Sequence, residues 1–180
     1  LETTQIRFCI SGSFAPASAG TNWTIGTPTN VAITLSSLGI GAGRQSAKVD
    51  LGATHAERFE VLGCVARAGT TVGRVDYYWA PSVSATTATG NVNGNDGTDA
   101  LILNQGSGSP TDAEYVALCQ FIGSLMVHNE AVVINGYVGV FRPTSRYGQL
   151  VVVNSTGTAF AAATDDEHHQ VFNPVMDEIQ

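Results

Sequence analysis

The sequence predicts an all-β protein: a two-sheet sandwich of jelly-roll or Greek-key type, with at most one short helix. Three observations carry that prediction. Val and Thr are plentiful, whereas the strong helix formers Lys and Met are nearly absent (Lys48; Met126 and Met176); β-branched side chains suit a pleated surface better than a helix. Apolar residues recur with a period of two, as in half-buried strands. Twenty glycines supply the tight turns such a fold needs.

In chain order, Ile6, Phe8 and Ile10 alternate with Gln5 and Arg7, and Val31, Ile33 and Leu35 with Ala32 and Thr34. Phe59, Val61, Gly63 and Val65 share one face of a third run, with Arg58, Glu60, Leu62 and Cys64 on the other. Val75, Tyr77 and Trp79 form the inward face of a fourth, leaving Tyr78 exposed. Pro110 to Tyr115 carries Thr111 with Glu114 three residues on, a capping-box arrangement that predicts one or two helical turns. Leu118 to Val127 is the next strand. From Ala131 the pattern is apolar on both faces, with Val132, Ile134 and Val138 against Val133, Tyr137 and Phe141, which predicts a strand inside a sheet. Turns fall at 39–43, 68–70, 82–97, 143–148 and 154–157. The chain reads as one domain over residues 1–180, with 161–180 as a C-terminal arm or edge strand. Pro174 favours the edge, since it cannot donate to a ladder.

Composition sets limits on function. The chain is 43% apolar but 13% charged, with a net charge of −7. Nucleic-acid binding requires a basic patch, which this sequence lacks. Its apolar runs are far shorter than the ~20 residues that span a bilayer, so no membrane partner is expected. A surface so poor in charge is weakly defended against association, and predicts occupation by other proteins. Leu1-Glu2-Thr3-Thr4 has neither a basic start nor an apolar run, so no signal peptide is expected. Cys9, Cys64 and Cys119 are odd in number and widely spaced, which predicts buried free thiols and synthesis in a reducing cytoplasm. Asn22-Trp23-Thr24 and Asn154-Ser155-Thr156 match glycosylation acceptors by chance.

Candidate chemistry is sparse. Asn93 to Asp99 spaces its oxygens like a calcium loop, but Asn104 stands where the closing acid belongs, so a turn is expected and no metal. His168 and His169 follow Asp165, Asp166 and Glu167; adjacent histidines on a strand point apart, which predicts a solvated acidic loop. His55 and His128 stand alone. Gly39-x-Gly41-x-Gly43 lacks the dinucleotide spacing. No Gly-x-Ser-x-Gly precedes a helix, and no acid pair for sugar hydrolysis can be picked out. Neither an enzyme nor a cofactor is expected. The run Tyr77-Tyr78-Trp79 reads as core packing, with a sugar platform as the alternative.

The last third carries a block, Val138 to Asn154, containing Arg142-Pro143-Thr144-Ser145-Arg146-Tyr147 ahead of a Val-rich strand. It is followed by Phe172-Asn173-Pro174-Val175-Met176-Asp177-Glu178-Ile179-Gln180. This block resembles structural proteins of tailed-bacteriophage heads. The resemblance implies a decoration (cement) protein, typically a jelly-roll over joints of the shell, self-associating as a dimer or trimer and bound to the major capsid protein. Such a protein is made in the host cytoplasm and ends on the outer surface of the virion. The residues expected to meet partners are Val171, Phe172, Val175 and Met176 in the tail, with Arg142, Arg146 and Tyr147 in the loop before it. A receptor- or glycan-binding head of a viral fibre or spike is the alternative.

Overall fold

Alternating runs rich in Val, Ile and aromatic residues become eleven strands in the computed structural model, which describes residues 4–12, 27–102, 112–129, 133–162 and 167–175. In order they are β1 (Ile6–Cys9), β2 (Thr29–Ala32), β3 (Gly43–Gln45), β4 (Val49–Asp50), β5 (Arg58–Ala66) and β6 (Gly73–Ser82). After β7 (Ala100–Leu101) and one short helix, α1 (Asp112–Val116), come β8 (Gln120–Val127), β9 (Val133–Phe141), β10 (Tyr147–Thr156) and β11 (His169–Val175). Two sheets pack as a sandwich, in the orders β2-β1-β11-β5-β9 and β7-β3-β10-β6-β8. Without the short strands β2, β4 and β7, the remaining strands place the first, eighth, third and sixth in one sheet. The second, seventh, fourth and fifth form the other. This is the double Greek-key order of a jelly-roll. β4 continues β3 along β10 after an offset of one residue, since Val151 faces Gln45 while Gly148 faces Val49.

The core lies between the sheets and is centred on aromatic rings. Phe172 of β11 has its ring centroid 4.7 Å from Phe8, 5.1 Å from Phe141, 6.1 Å from Phe59 and 6.2 Å from Trp79. Edge-on and tilted aromatic contacts of this kind add to the stabilisation from apolar burial. Tyr77 and Trp79 are fully buried, as the alternation predicts. The Tyr77 hydroxyl donates to Gln170 Oε1 (2.9 Å), whose amide donates to Cys64 O (2.9 Å). A Cβ on Gly63 would lie 2.4 Å from the Tyr77 oxygen, so glycine is what leaves room for this ring.

Three expectations fail for identifiable reasons. In the described part of the tail, β11 is no edge strand: it lies between β1 and β5, and Val171 and Phe172 are both 0% exposed. Pro174 is tolerated because the pairing with β1 ends at Phe172 opposite Ile6, two residues before it. β9 is an edge strand rather than an interior one, pairing only with β5. Its two apolar faces arise from a bulge at Val138, where the register with Val61 and Leu62 shifts; this shift turns both Val138 and Phe141 inward and leaves Tyr137 outside. His168 and His169 are buried rather than solvated. The His168 ring stacks on Phe160 (5.8 Å), takes the Ala66 N–H at Nδ1 (3.4 Å) and meets Ala161 O at Nε2 (2.9 Å). Asp165, Asp166, Val132 and Met176 lie outside the described residues, as do Thr111, Asn104 and the acceptor sequence at Asn22.

Between β6 and β8, Ile102 and α1 lie over the outer face of the second sheet. There α1 supplies Tyr115 and Val116 to a second apolar cluster with Ala80, Ile102 and Val151. Tyr78, expected to be exposed, is half-buried because this cluster and Phe121 (ring centroids 5.3 Å apart) cover it.

Candidate interaction surface

Each sheet ends on the same side of the sandwich, β8 closing one and β9 the other. Both edge strands are bulged at a shared sequence pattern: an aromatic residue, a β-branched residue, then glycine. On β8 this is Phe121-Ile122-Gly123, with the register shift opposite Tyr77 and Tyr78. On β9 it is Tyr137-Val138-Gly139. The bulged residue turns inward in both, Ile122 and Val138 being equally buried. Each then presses its carbonyl against the other strand's glycine. A Cβ on Gly123 would lie 2.3 Å from Val138 O, and one on Gly139 2.8 Å from Ile122 O. Any side chain there would push the two strands apart.

Closing the sandwich in this way leaves the aromatic residues outside. Phe121 is 56% and Tyr137 57% exposed, joined by Met126 at 70% and Val140 at 45%. Of nine large hydrophobic side chains exposed among the described residues, these four flank one seam. Neither strand carries an acidic or basic residue. Bulges are a usual protection for edge strands, so the backbone here is guarded while the side chains remain available.

The residues named from the sequence as partner contacts divide between core and surface. Val171 and Phe172 belong to the core, so they hold the protomer together and are not available to a partner. Val175 is half-buried at the end of β11. Arg142 is exposed and pairs with Glu57 at 3.3 Å. Arg146 binds Asp50 through two 2.6 Å hydrogen bonds and lies over the Tyr147 ring, 4.9 Å from its centroid. That guanidinium holds the Asp50 carboxyl below its ordinary pKa. The three loop residues therefore gather at the turn between β9 and β10, at the end of the sandwich where Val175 pairs with Arg58.

The polar clusters are committed to the protein's own donors and acceptors. Each oxygen of buried Asp76 accepts two hydrogen bonds: Oδ1 from Arg74 Nε (2.9 Å) and Ser124 Oγ (2.5 Å), Oδ2 from Arg74 Nε (3.0 Å) and Ser155 Oγ (2.8 Å). The adjoining recess of about 370 Å³, between Arg74, Tyr78 and Val116, is thus floored by a satisfied carboxylate. In the Asn93–Asp99 loop, Asp96 Oδ1 takes the Thr98 N–H (2.9 Å) and hydroxyl (2.8 Å), which lowers its pKa. Asp99 takes the Thr34 N–H (3.1 Å) and hydroxyl (2.6 Å) and Arg44 Nε (2.5 Å). These acids build turns and cross-links, the structural use the sequence suggested. Nearby, the Lys48 ammonium donates to three carbonyls of one turn: Ser84 (3.1 Å), Thr86 (2.6 Å) and Thr89 (2.8 Å). Cys9, Cys64 and Cys119 join no disulfide, Cys9 and Cys64 being buried and Cys119 half-buried; burial pushes the Cys119 thiol up to about 12. Asn154 is buried, its amide donating to Leu38, Gly39 and Thr158 carbonyls, so it is no glycan acceptor.

Sequence reasoning did not select Phe121, Gly123 or Gly139, although the repeated aromatic–β-branched–glycine triplet was there to be read. No family model, curated protein or solved structure matches the chain.

Proposed function

We propose that this protein is a non-enzymatic structural component of a virus particle, a decoration protein that binds the major capsid protein from outside and associates with copies of itself. Fold alone never fixes function. The observation that supports the reading is the apolar seam, whose two strands carry no charged residue, set on a jelly-roll whose acidic clusters already hold internal partners. Such a surface suits adhesion to protein. The resemblance of Val138 to Asn154 and Phe172 to Gln180 to phage head proteins supplies the kind of surface it adheres to. Many modest contacts repeated by capsid symmetry give strong retention through avidity.

The test is location. An antibody raised against the chain, applied to heads purified from the cells that make it, should label the outer shell in electron micrographs. Label confined to the soluble fraction, with bare heads, would overturn the capsid assignment. A sugar-binding head makes a different demand: Tyr77 and Trp79 lie in the core, so a glycan array read with the purified chain should stay blank.

A further inference from the structure

We infer that the β8–β9 seam is the face on which a second copy of this chain docks; this rests on the self-association proposed above and is independent of which capsid the protein binds. Three observations lead there. First, area: Phe121, Met126, Tyr137 and Val140 together expose on the order of 500 Å² of largely apolar surface, given ~150–250 Å² for a large side chain. Divided between the two flanks of one edge, that is the greater part of the ~800 Å² per partner in a stable interface. Second, charge: each copy carries −7, so two copies repel wherever acids face each other, and neither seam strand carries an acid or a base, the nearest being Arg74 beside Met126 and Glu60 beside Val140. A foreign partner bound by attraction would favour charged residues; an identical partner favours strands that carry none. Third, shape: a two-fold interface joins a patch to itself and must be self-complementary. The seam has that property, because β8 and β9 carry matching triplets with an aromatic ring on each flank. A copy turned about a two-fold axis sets aromatic flank against aromatic flank.

The experiment is light scattering on the full chain and two double variants, Phe121→Ser/Tyr137→Ser and Met126→Gln/Val140→Thr, each checked by circular dichroism. The wild type should run at no less than twice 18.7 kDa, and at least one folded variant should fall to the monomer mass. Hydrogen exchange on the wild type supplies a reading that needs no variant. Amides of β8 and β9 should exchange at least tenfold more slowly in concentrated than in dilute protein. A monomeric wild type, folded variants that keep its mass, or exchange independent of concentration would each overturn the assignment. If the wild type is a monomer and the variants lose binding to heads, the seam belongs to the capsid and the capsid reading survives. If the variants dissociate an oligomer that never binds heads, the seam assignment stands and the capsid reading fails.

Discussion

β9 and β11 flank the same strand, β5, one on each side, and their compositions invert their positions. β11 reads His-Gln-Val-Phe-Asn-Pro-Val, yet it is interior and its first five residues are buried. β9 is almost wholly apolar and glycine, yet it is the edge. What separates them is matching. Gln170 of β11 is paired within the core to Tyr77 and Cys64, and Asn173 accepts from the Gln5 amide, so polar atoms go inside without penalty. β9 has no polar partners to match outside, and its outward Tyr137 and Val140 gain only from contact with another apolar surface. A strand's place in this sandwich follows from whether its groups find partners, not from how apolar it is.

The contrast can be broken by substitution. The largest effect is expected on β11: Phe172→Ala should cost about 3–5 kcal/mol, since it empties the centre of the aromatic cluster. Tyr137→Ala on β9, in protein dilute enough to be monomeric, should move stability by no more than ~0.5 kcal/mol. Urea melts of the two variants decide, and equal losses would dissolve the distinction. Next, Gly123→Ala should cost about 2–3 kcal/mol, because the new methyl meets the Val138 carbonyl, which belongs to backbone and cannot swing away. Thermal melting measures it, and an unchanged midpoint would mean that the seam is not tightly closed. Gln170→Met preserves volume but leaves the Tyr77 hydroxyl without its acceptor, and should cost about 1–2 kcal/mol. Its Tyr77→Phe double variant should recover most of that loss.

The smallest effect concerns pH at the Arg146 loop. The folded-state pKa of Asp50 is lowered, so its contribution is fully present above the unfolded value of about 4 and fades as pH falls through the lower folded value. Both partners are nearly half exposed, which limits the gain to less than about 0.5 kcal/mol. Arg146→Gln should therefore lower the melting midpoint slightly at pH 7 and match the wild type near pH 2. A gap that persists in acid would assign the stabilisation to the stacking of Arg146 on Tyr147 instead.

The sandwich was legible because period-two patterns report which side chains face inward, and Phe8, Val61, Tyr77 and Trp79 all do. Lateral order was not legible. Which strand neighbours which depends on long-range pairing, and β1 meets β11 across nearly the whole chain. Pro174 pointed to an edge because a single sequence cannot reveal that the neighbouring strand stops short. The bulges misled in another way: an extra residue at Val138 shifts the alternation by one, so a bulged edge strand imitates an interior strand with two apolar faces. Of the residues first named as contacts, Val171 and Phe172 were chosen for apolarity, which identified core. The four at the seam were masked by the same apolarity, because only the closed sandwich separates Phe121 from Ile122.

Lys48 is the one lysine in the chain, and its ammonium ties together three carbonyl oxygens, the kind of ligand that hard cations also favour. The turn at residues 84–89 thus carries its own cation on a covalent tether. Chelators, divalent-ion depletion and dilution into fresh water leave such an ion in place. The same arrangement occupies the only side-chain amine in the protein, so amine-directed crosslinkers will find little to react with on its surface.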